Sequence, residues 1–215
     1  MKKIRSQLRA LLNFFNLASG IELRMTGYLA EKGWYKSYHS KKSIDKNKQS
    51  IPWLTYPFIT FLEKRLYKEL DVFEYGSGDS TFWYAERVKS VDAVEHHYQW
   101  YQYVNAKKPA NVKIYHIALD YNGRYSKAIE ITQKQYDVVI VDGRDRNQCL
   151  EEGIKALKPG GVVILDNSER NKYQKGVLFM KEQGFKQLEF EGMSPVTTIL
   201  NVTSLFYKVE NCLGV

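Results

Sequence analysis

Val72-Phe-Glu-Tyr-Gly-Ser-Gly-Asp-Ser-Thr81 is the stretch from which the rest of the chain can be read. An apolar run carries one acid, Glu74, and passes into the glycine turn Gly76-Ser77-Gly78. It then meets Asp79, Ser80 and Thr81, three residues suited to cap a helix. The pattern predicts a strand over 71–75, a tight turn and a helix over 80–89. The glycines let the backbone turn sharply and lie close against a ligand. A strand, a glycine turn and a helix N-terminus make a nucleotide-sized site, or a plain corner that binds nothing. The rest of the chain decides between these.

Downstream, strand and helix patterns alternate. Strands are expected over 90–95, 112–118, 136–142 and 161–166, with helices over 97–106, 146–157 and 171–183. Val138-Val-Ile-Val141 is a β-branched apolar run of the kind found in strands buried on both faces. Lys158-Pro-Gly-Gly161 reads as a helix stop. Two further strands, 185–190 and 197–208, flank Gly192-Met-Ser-Pro195 as a closing hairpin. Upstream, Ile51 to Pro57 is a rigid aromatic turn leading to a helix through Leu70, and Trp53 and Tyr56 could roof a ligand. The fold class is α/β: a doubly wound, mostly parallel seven-stranded sheet with a C-terminal antiparallel hairpin and a basic helical N-terminal extension.

The chain has 215 residues, 44% hydrophobic and 26% charged, enough for one full core plus an appendage. Its net charge of +8 is localised. Residues 1–50 hold 11 Lys and Arg against 3 acids, whereas residues 51–215 hold 21 of each. A neutral body argues against a nucleic-acid enzyme, whose cleft is usually basic. Residues 4–18 place Ile4, Leu8, Leu11, Leu12 and Phe15 on one helical face. That face would pack on the domain or across a homodimer, or touch an anionic membrane through residues 2–18. Residues 36–50, rich in Lys, Ser and Asn, read as a solvated linker that could act as a lid. Residues 1–50 are thus an extension and 51–215 the main domain. Two cysteines without metal spacing, no apolar run of spanning length and no convincing leader give a cytoplasmic expectation.

Ligands of such sheets bind beyond the carboxyl ends of the strands. The residues there are Glu74 with its glycines, Glu95, Ala118 to Asp120, Asp142, and Asp166-Asn167. Glu95 lies 17 residues after Gly78, where an acid can accept both hydroxyls of a ribose. A dinucleotide motif would need glycine at position 81, which is Thr81.

Glu74-x-Gly76-x-Gly78, Glu95, Asp142 and Leu157-Lys-Pro-Gly-Gly161 together resemble class I S-adenosylmethionine-dependent methyltransferases over residues 52–208. The resemblance implies S-adenosylmethionine as cofactor. Gly76, Ser77, Gly78 and Ser80 would line its methionine part, with Glu74 beneath the turn. Glu95 would hold the ribose, His96 and Asp120 would border the adenine, and Asp142 would close the site. Asp79 and Ser80 depart from the family turn. Asp142, Asp166 and Asn167 resemble the oxygen ligands of Mg²⁺-dependent small-molecule O-methyltransferases. Asp142 is otherwise the candidate catalytic base, with His96, His97 and His116 behind it. The expected function is methyl transfer to oxygen of a small molecule or glycan. Alternatives are an RNA or protein methyltransferase using residues 1–50 as an arm, and a catalytically silent fold.

Overall fold

The computed structural model describes residues 10, 12–15 and 17–215. The chain forms two compact units: residues 1–50 with Pro195–Thr197, and residues 51–194 with 198–215.

The first unit contains α1 (Ala18–Met25), α2 (Tyr28–Glu31) and α3 (Trp34–Ser40). The helix expected over 4–18, and the membrane contact assigned to 2–18, fall largely outside the described residues. The stretch 36–50 differs from the solvated linker its composition suggests. Lys36–Ser40 is the end of α3, and Ile44 bridges Ser50. Buried Ser37 accepts from Ile44 N–H and donates to its carbonyl, and Asp45 Oδ1 accepts from the amides of Asn47 and Gln49. These short-range side-chain bonds do the ordering that apolar contacts do elsewhere. Trp34 Nε1–H donates to the Thr197 carbonyl at 2.7 Å.

The second unit is built on a seven-stranded sheet. Its strands are β1 (Asp71–Tyr75), β2 (Ser90–Glu95), β3 (Val112–His116), β4 (Tyr136–Val141), β5 (Leu157–Asp166), β6 (Lys186–Gly192) and β7 (Asn201–Tyr207). The order is β3-β2-β1-β4-β5-β7-β6. The first five are parallel, and β7 runs antiparallel between β5 and β6. Connecting helices are α4 (Tyr56–Glu63), α5 (Asp79–Ala85), α6 (Tyr98–Lys107), α7 (Ala128–Ile131), α8 (Arg146–Gly153) and α9 (Gln174–Glu182). Val138 to Val141 and Val162 to Leu165 are all buried, as expected of strands covered on both faces.

Several boundaries depart from the sequence reading: the helix expected over 80–89 ends at Ala85, and the strand expected over 197–208 starts at Asn201. Helix α4 ends at Glu63 rather than Leu70. Lys158-Pro-Gly-Gly161 lies within β5 instead of stopping a helix, because α8 already gives way to a 3-10 turn at Ile154–Ala156. The Lys158 ammonium bonds Asp71 and Asp137, each at 2.8 Å, and so ties β5 to the starts of β1 and β4. That pins the opposite edge of the sheet from the site.

In register, Tyr75 pairs with Val94 and Val141, and Val141 with Leu165. Parallel strands of matched register end together. Gly76, Glu95, Asp142 and Asp166 therefore share one edge.

Candidate functional site

The turn after β1 is held from three sides. Gly76 N–H donates to Val94 O, and Ser77 N–H donates to Glu95 Oε2 at 3.1 Å. Glu95 Oε1 accepts from His97 N–H at 2.8 Å, so the acid of β2 fixes both its own loop and the glycine turn. Trp100 of α6 donates its indole N–H to Ser77 O at 2.5 Å. A Cβ on Gly78 would meet that indole at 3.5 Å, and one on Gly76 would meet the Gly143 backbone at 3.1 Å. In this structure Gly76 serves a close approach of chain to chain.

Asp79 and Ser80 have structural explanations. Gly78 is the residue before α5, and its N–H donates to Thr81 Oγ1 at 3.0 Å. Asp79 opens the helix, where a carboxylate complements the free N–H groups. Ser80 Oγ and Thr81 Oγ1 both donate to buried Glu74, the latter at 2.5 Å.

Burial pushes the Glu74 carboxyl up to about 8, against the two hydroxyl donors, and the charges of Asp142 and Glu95 add to the rise. The folded chain keeps this proton to about pH 8, while an unfolded Glu ionises near 4.5. Between those values the folded state binds more protons, so this contribution is full below 4.5 and is lost as pH rises toward 8. Moving from pH 8 to pH 6 is expected to raise the unfolding free energy by roughly 2 kcal/mol through this group. Urea unfolding at several pH values measures it, and Glu74→Gln should remove that share of the slope. An unchanged slope in the variant would mean that Glu74 is ionised throughout.

Beside Glu74 lies the pair Asp142 and Asp166, bracketing Arg146 from the first turn of α8. Arg146 Nη2 bonds Asp142 Oδ1 at 2.9 Å and the Asp142 carbonyl at 2.8 Å. Its Nε donates to Gly143 O at 3.1 Å, its Nη1 to Asp166 O, and the same Nη1 lies 3.8 Å from Asp166 Oδ2. The guanidinium thus staples the ends of β4 and β5. Burial, with Asp142 adjacent, pushes Asp166 up to about 8; burial also raises Asp142, against the pull of Arg146. Asp142 is the more open of the two, its side chain 27% exposed against 6%. Tyr84 of α5 is buried nearby, and burial, then Glu74, Asp142 and Asp166, hold its phenol well above its ordinary value.

This arrangement lends the expected Mg²⁺ ligand set no support. Asp142 and Asp166 already share the Arg146 cation, and Asp166 Oδ1 accepts from Thr203 Oγ1 at 2.8 Å. Asn167 Nδ2 donates to Asn201 Oδ1, and the Asn167 backbone is left-handed. A divalent ion needs several hard oxygens, and Asp142 Oδ1 and Asp166 Oδ1 already accept hydrogen bonds. Among the described residues no group of three or more His, Cys, Asp or Glu could hold a metal ion.

Other expected residues are placed as follows. Asp120 turns back on its own loop, accepting from Arg124 N and Tyr125 N at 2.9 Å each. His96 Nδ1 lies 3.0 Å from Glu95 Oε1, off the axis of a hydrogen bond and with no other hydrogen-bonding partner. Burial lowers its pKa, keeping the ring neutral, against the opposing pull of Glu95. His116 packs among Tyr98 and Tyr101. Tyr56 belongs to the core and cannot roof a ligand, whereas Trp53 is exposed. The sequence places Arg146, with Arg144 and Asp145, among mixed charges around the Asp142 site but gives it no role, and it does not single out Trp100. The spacing Asp142-x-x-x-Arg146 was the available signal for the first.

The sequence matches no family model and no curated protein. The three-dimensional structure does find counterparts. Precorrin-6y C5,15-methyltransferase from Geobacter metallireducens superposes over 78% of this chain and 97% of its own, at 16% identity and a TM-score of 0.57. The fold is that of the class I methyltransferases. A precorrin 8W decarboxylase from Methanobacterium thermoautotrophicum covers 74% of this chain and 94% of its own, at 18% identity and TM-score 0.54. An O-methyltransferase from Bacillus cereus, solved with SAH, covers 64% and 74%, at 16% identity and TM-score 0.52. In this methyltransferase fold the Gly76–Gly78 turn, Glu95 and Asp142 stand at the ends of the neighbouring strands β1, β2 and β4, respectively.

Proposed function

We propose that this chain transfers a methyl group from S-adenosylmethionine to an oxygen of a small molecule or glycan. The observation that carries the reading is the meeting of the glycine turn, Glu95 and the half-open Asp142 at the carboxyl edge of β1, β2 and β4. When bound, the cofactor supplies an electrophilic methyl group on a sulfonium. Gly76 to Gly78, with Ser77 and Ser80, would line its methionine portion. Glu95 has capacity for a ribose hydroxyl beyond its bonds to Ser77 and His97, since a carboxylate offers about four lone-pair sites. His96, neutral and adjoining Glu95, would border the adenine. Asp142 would accept the acceptor's proton as its oxygen forms the new C–O bond. Burial raises its pKa, against the pull of Arg146, and so makes it a stronger base than a free carboxylate. Arg146 keeps that carboxyl oriented. The neutral body favours an uncharged acceptor over a nucleic acid, and the bacterial O-methyltransferase neighbour is consistent with oxygen as the target.

One observation favours a silent fold instead. Trp100 lies across the turn that the cofactor needs, and Glu95 is nearly inaccessible. Calorimetry with S-adenosylmethionine and its demethylated product separates the two. Binding is expected, with a change in tryptophan fluorescence as Trp100 stacks on the ligand. Trp100→Ala should weaken binding about tenfold, the size of one aromatic contact. No binding by either chain sinks the enzyme reading.

A further inference from the structure

Trp53 is the one side chain of residues 51–56 that the core leaves out. Its neighbours on both sides are buried, while Trp53 is 45% exposed. The backbone beneath it is fixed. Thr55 N–H donates to Thr203 Oγ1 at 3.1 Å, and that hydroxyl donates in turn to Asp166 Oδ1. Tyr56 N–H donates to Met193 O at 2.9 Å, just past the end of β6. These anchors set Trp53 at the carboxyl edge of the parallel strands, on the β5 and β7 side of Asp142. Ile199 and Leu200 stand at the same edge, directly before β7, and are 63 and 55% exposed. Asn201 Nδ2 donates to Ile199 O at 3.1 Å, and Asn201 Oδ1 accepts from Asn167, next to Asp166. Three large apolar side chains are thus left in water at the edge to which Asp142 opens.

We infer that this apolar rim selects the methyl acceptor and that the acceptor is a phenol, an apolar ring carrying the reacting hydroxyl. The inference rests on the methyltransferase reading above and narrows it. The indole of Trp53 offers a face for a flat ring, and Ile199 and Leu200 offer apolar cover for its edges. A glycan would lay several hydroxyls against the same aliphatic groups, which give them no hydrogen bond, and an unpaired buried hydroxyl is costly. A phenol also yields its proton to a carboxylate more readily than an aliphatic hydroxyl does, since it ionises at about 10. In the transfer the phenol oxygen bonds the methyl carbon and the methyl–sulfur bond breaks, its electron pair staying on sulfur. The phenolic proton passes to Asp142.

The probe is naphthol, with methyl glucoside as the sugar control, on the full chain saturated with the demethylated product. Equilibrium dialysis should show bound naphthol that the glucoside does not displace. Trp53→Ala and Leu200→Ser, both at exposed positions, should each weaken that binding about tenfold while Tm holds. With S-adenosylmethionine in place of the product, mass spectrometry should find the methyl ether of naphthol. The inference is overturned if a chain that binds S-adenosylmethionine leaves naphthol free, or if both variants bind naphthol as the parent chain does. Methylation of the glucoside in place of naphthol overturns it as well, and leaves the methyltransferase reading standing. Absence of S-adenosylmethionine binding sinks that reading and this inference with it.

Discussion

Replacing Arg146 by methionine is expected to lower the unfolding free energy by roughly 4 kcal/mol, the usual cost of removing one member of a buried ion cluster. Methionine fills similar space, so the loss is electrostatic. The guanidinium bonds the Asp142 carboxylate and the carbonyls of Asp142, Gly143 and Asp166. Without it, three carbonyls lose a donor, and buried Asp166 faces the partly exposed Asp142 with no cation between them. Lysine should recover little, because one ammonium cannot match the planar fork of donors that reaches both strand ends. For a chain of this size the change corresponds to a fall of about 10 °C in Tm. The penalty should shrink on acidification, because Asp142 and Asp166 both have raised pKa values and become neutral before ordinary acids do. Thermal unfolding at pH 5.0 and 8.0 (chosen as about three units apart around the linkage window) would show it. A loss below about 1 kcal/mol at pH 8 would place Arg146 among ordinary surface pairs.

That cluster also shows where sequence reading stops. The strands were legible because β4 and β5 are apolar on both faces, and only burial on both faces makes such a run. Their ends followed, since parallel strands in register finish together. The place of Arg146 beside the site was legible but its burial between two strand ends was not: an acid and a base four apart look like any pair on an exposed helix. What buries it is the immediate start of α8 after β4, with Asp145 in a left-handed turn at φ 49°. Trp100 was hidden for a similar reason. Its helix is rich in aromatic residues, so one ring more than twenty residues from the glycine turn carries no local mark. The linker reading of 36–50 failed because composition counts polar residues without knowing which of them bond the backbone.

Gly76→Ala is expected to cost about 3 kcal/mol and, under the proposed function, to abolish cofactor binding, whereas Gly78→Ala should be nearly neutral in stability. The two glycines look equivalent in Glu74-Tyr-Gly-Ser-Gly78 but stand in different conformations. Gly76 has φ +94°, beyond the left-handed region any side chain adopts without strain, at a cost of about 1–2 kcal/mol. Its Cβ would also press on Gly143 Cα and N at 3.1 and 3.2 Å. Neither is a flexible side chain, and a Cβ on Gly143 would in turn meet the buried Tyr125 hydroxyl. Relief must therefore part the β1 turn from the end of β4, moving Ser77 from Glu95 and Asp142 from its place. Gly78 is extended, and a methyl there meets only the Trp100 indole at an ordinary 3.5 Å. Under the proposed function Gly78→Ala loses affinity for S-adenosylmethionine while its Tm holds, since the methyl intrudes where the ligand would lie. Calorimetry beside thermal unfolding distinguishes the two positions. If Gly78→Ala binds as the parent chain does, the glycine serves Trp100 and not a ligand, and the turn is a corner of the fold alone.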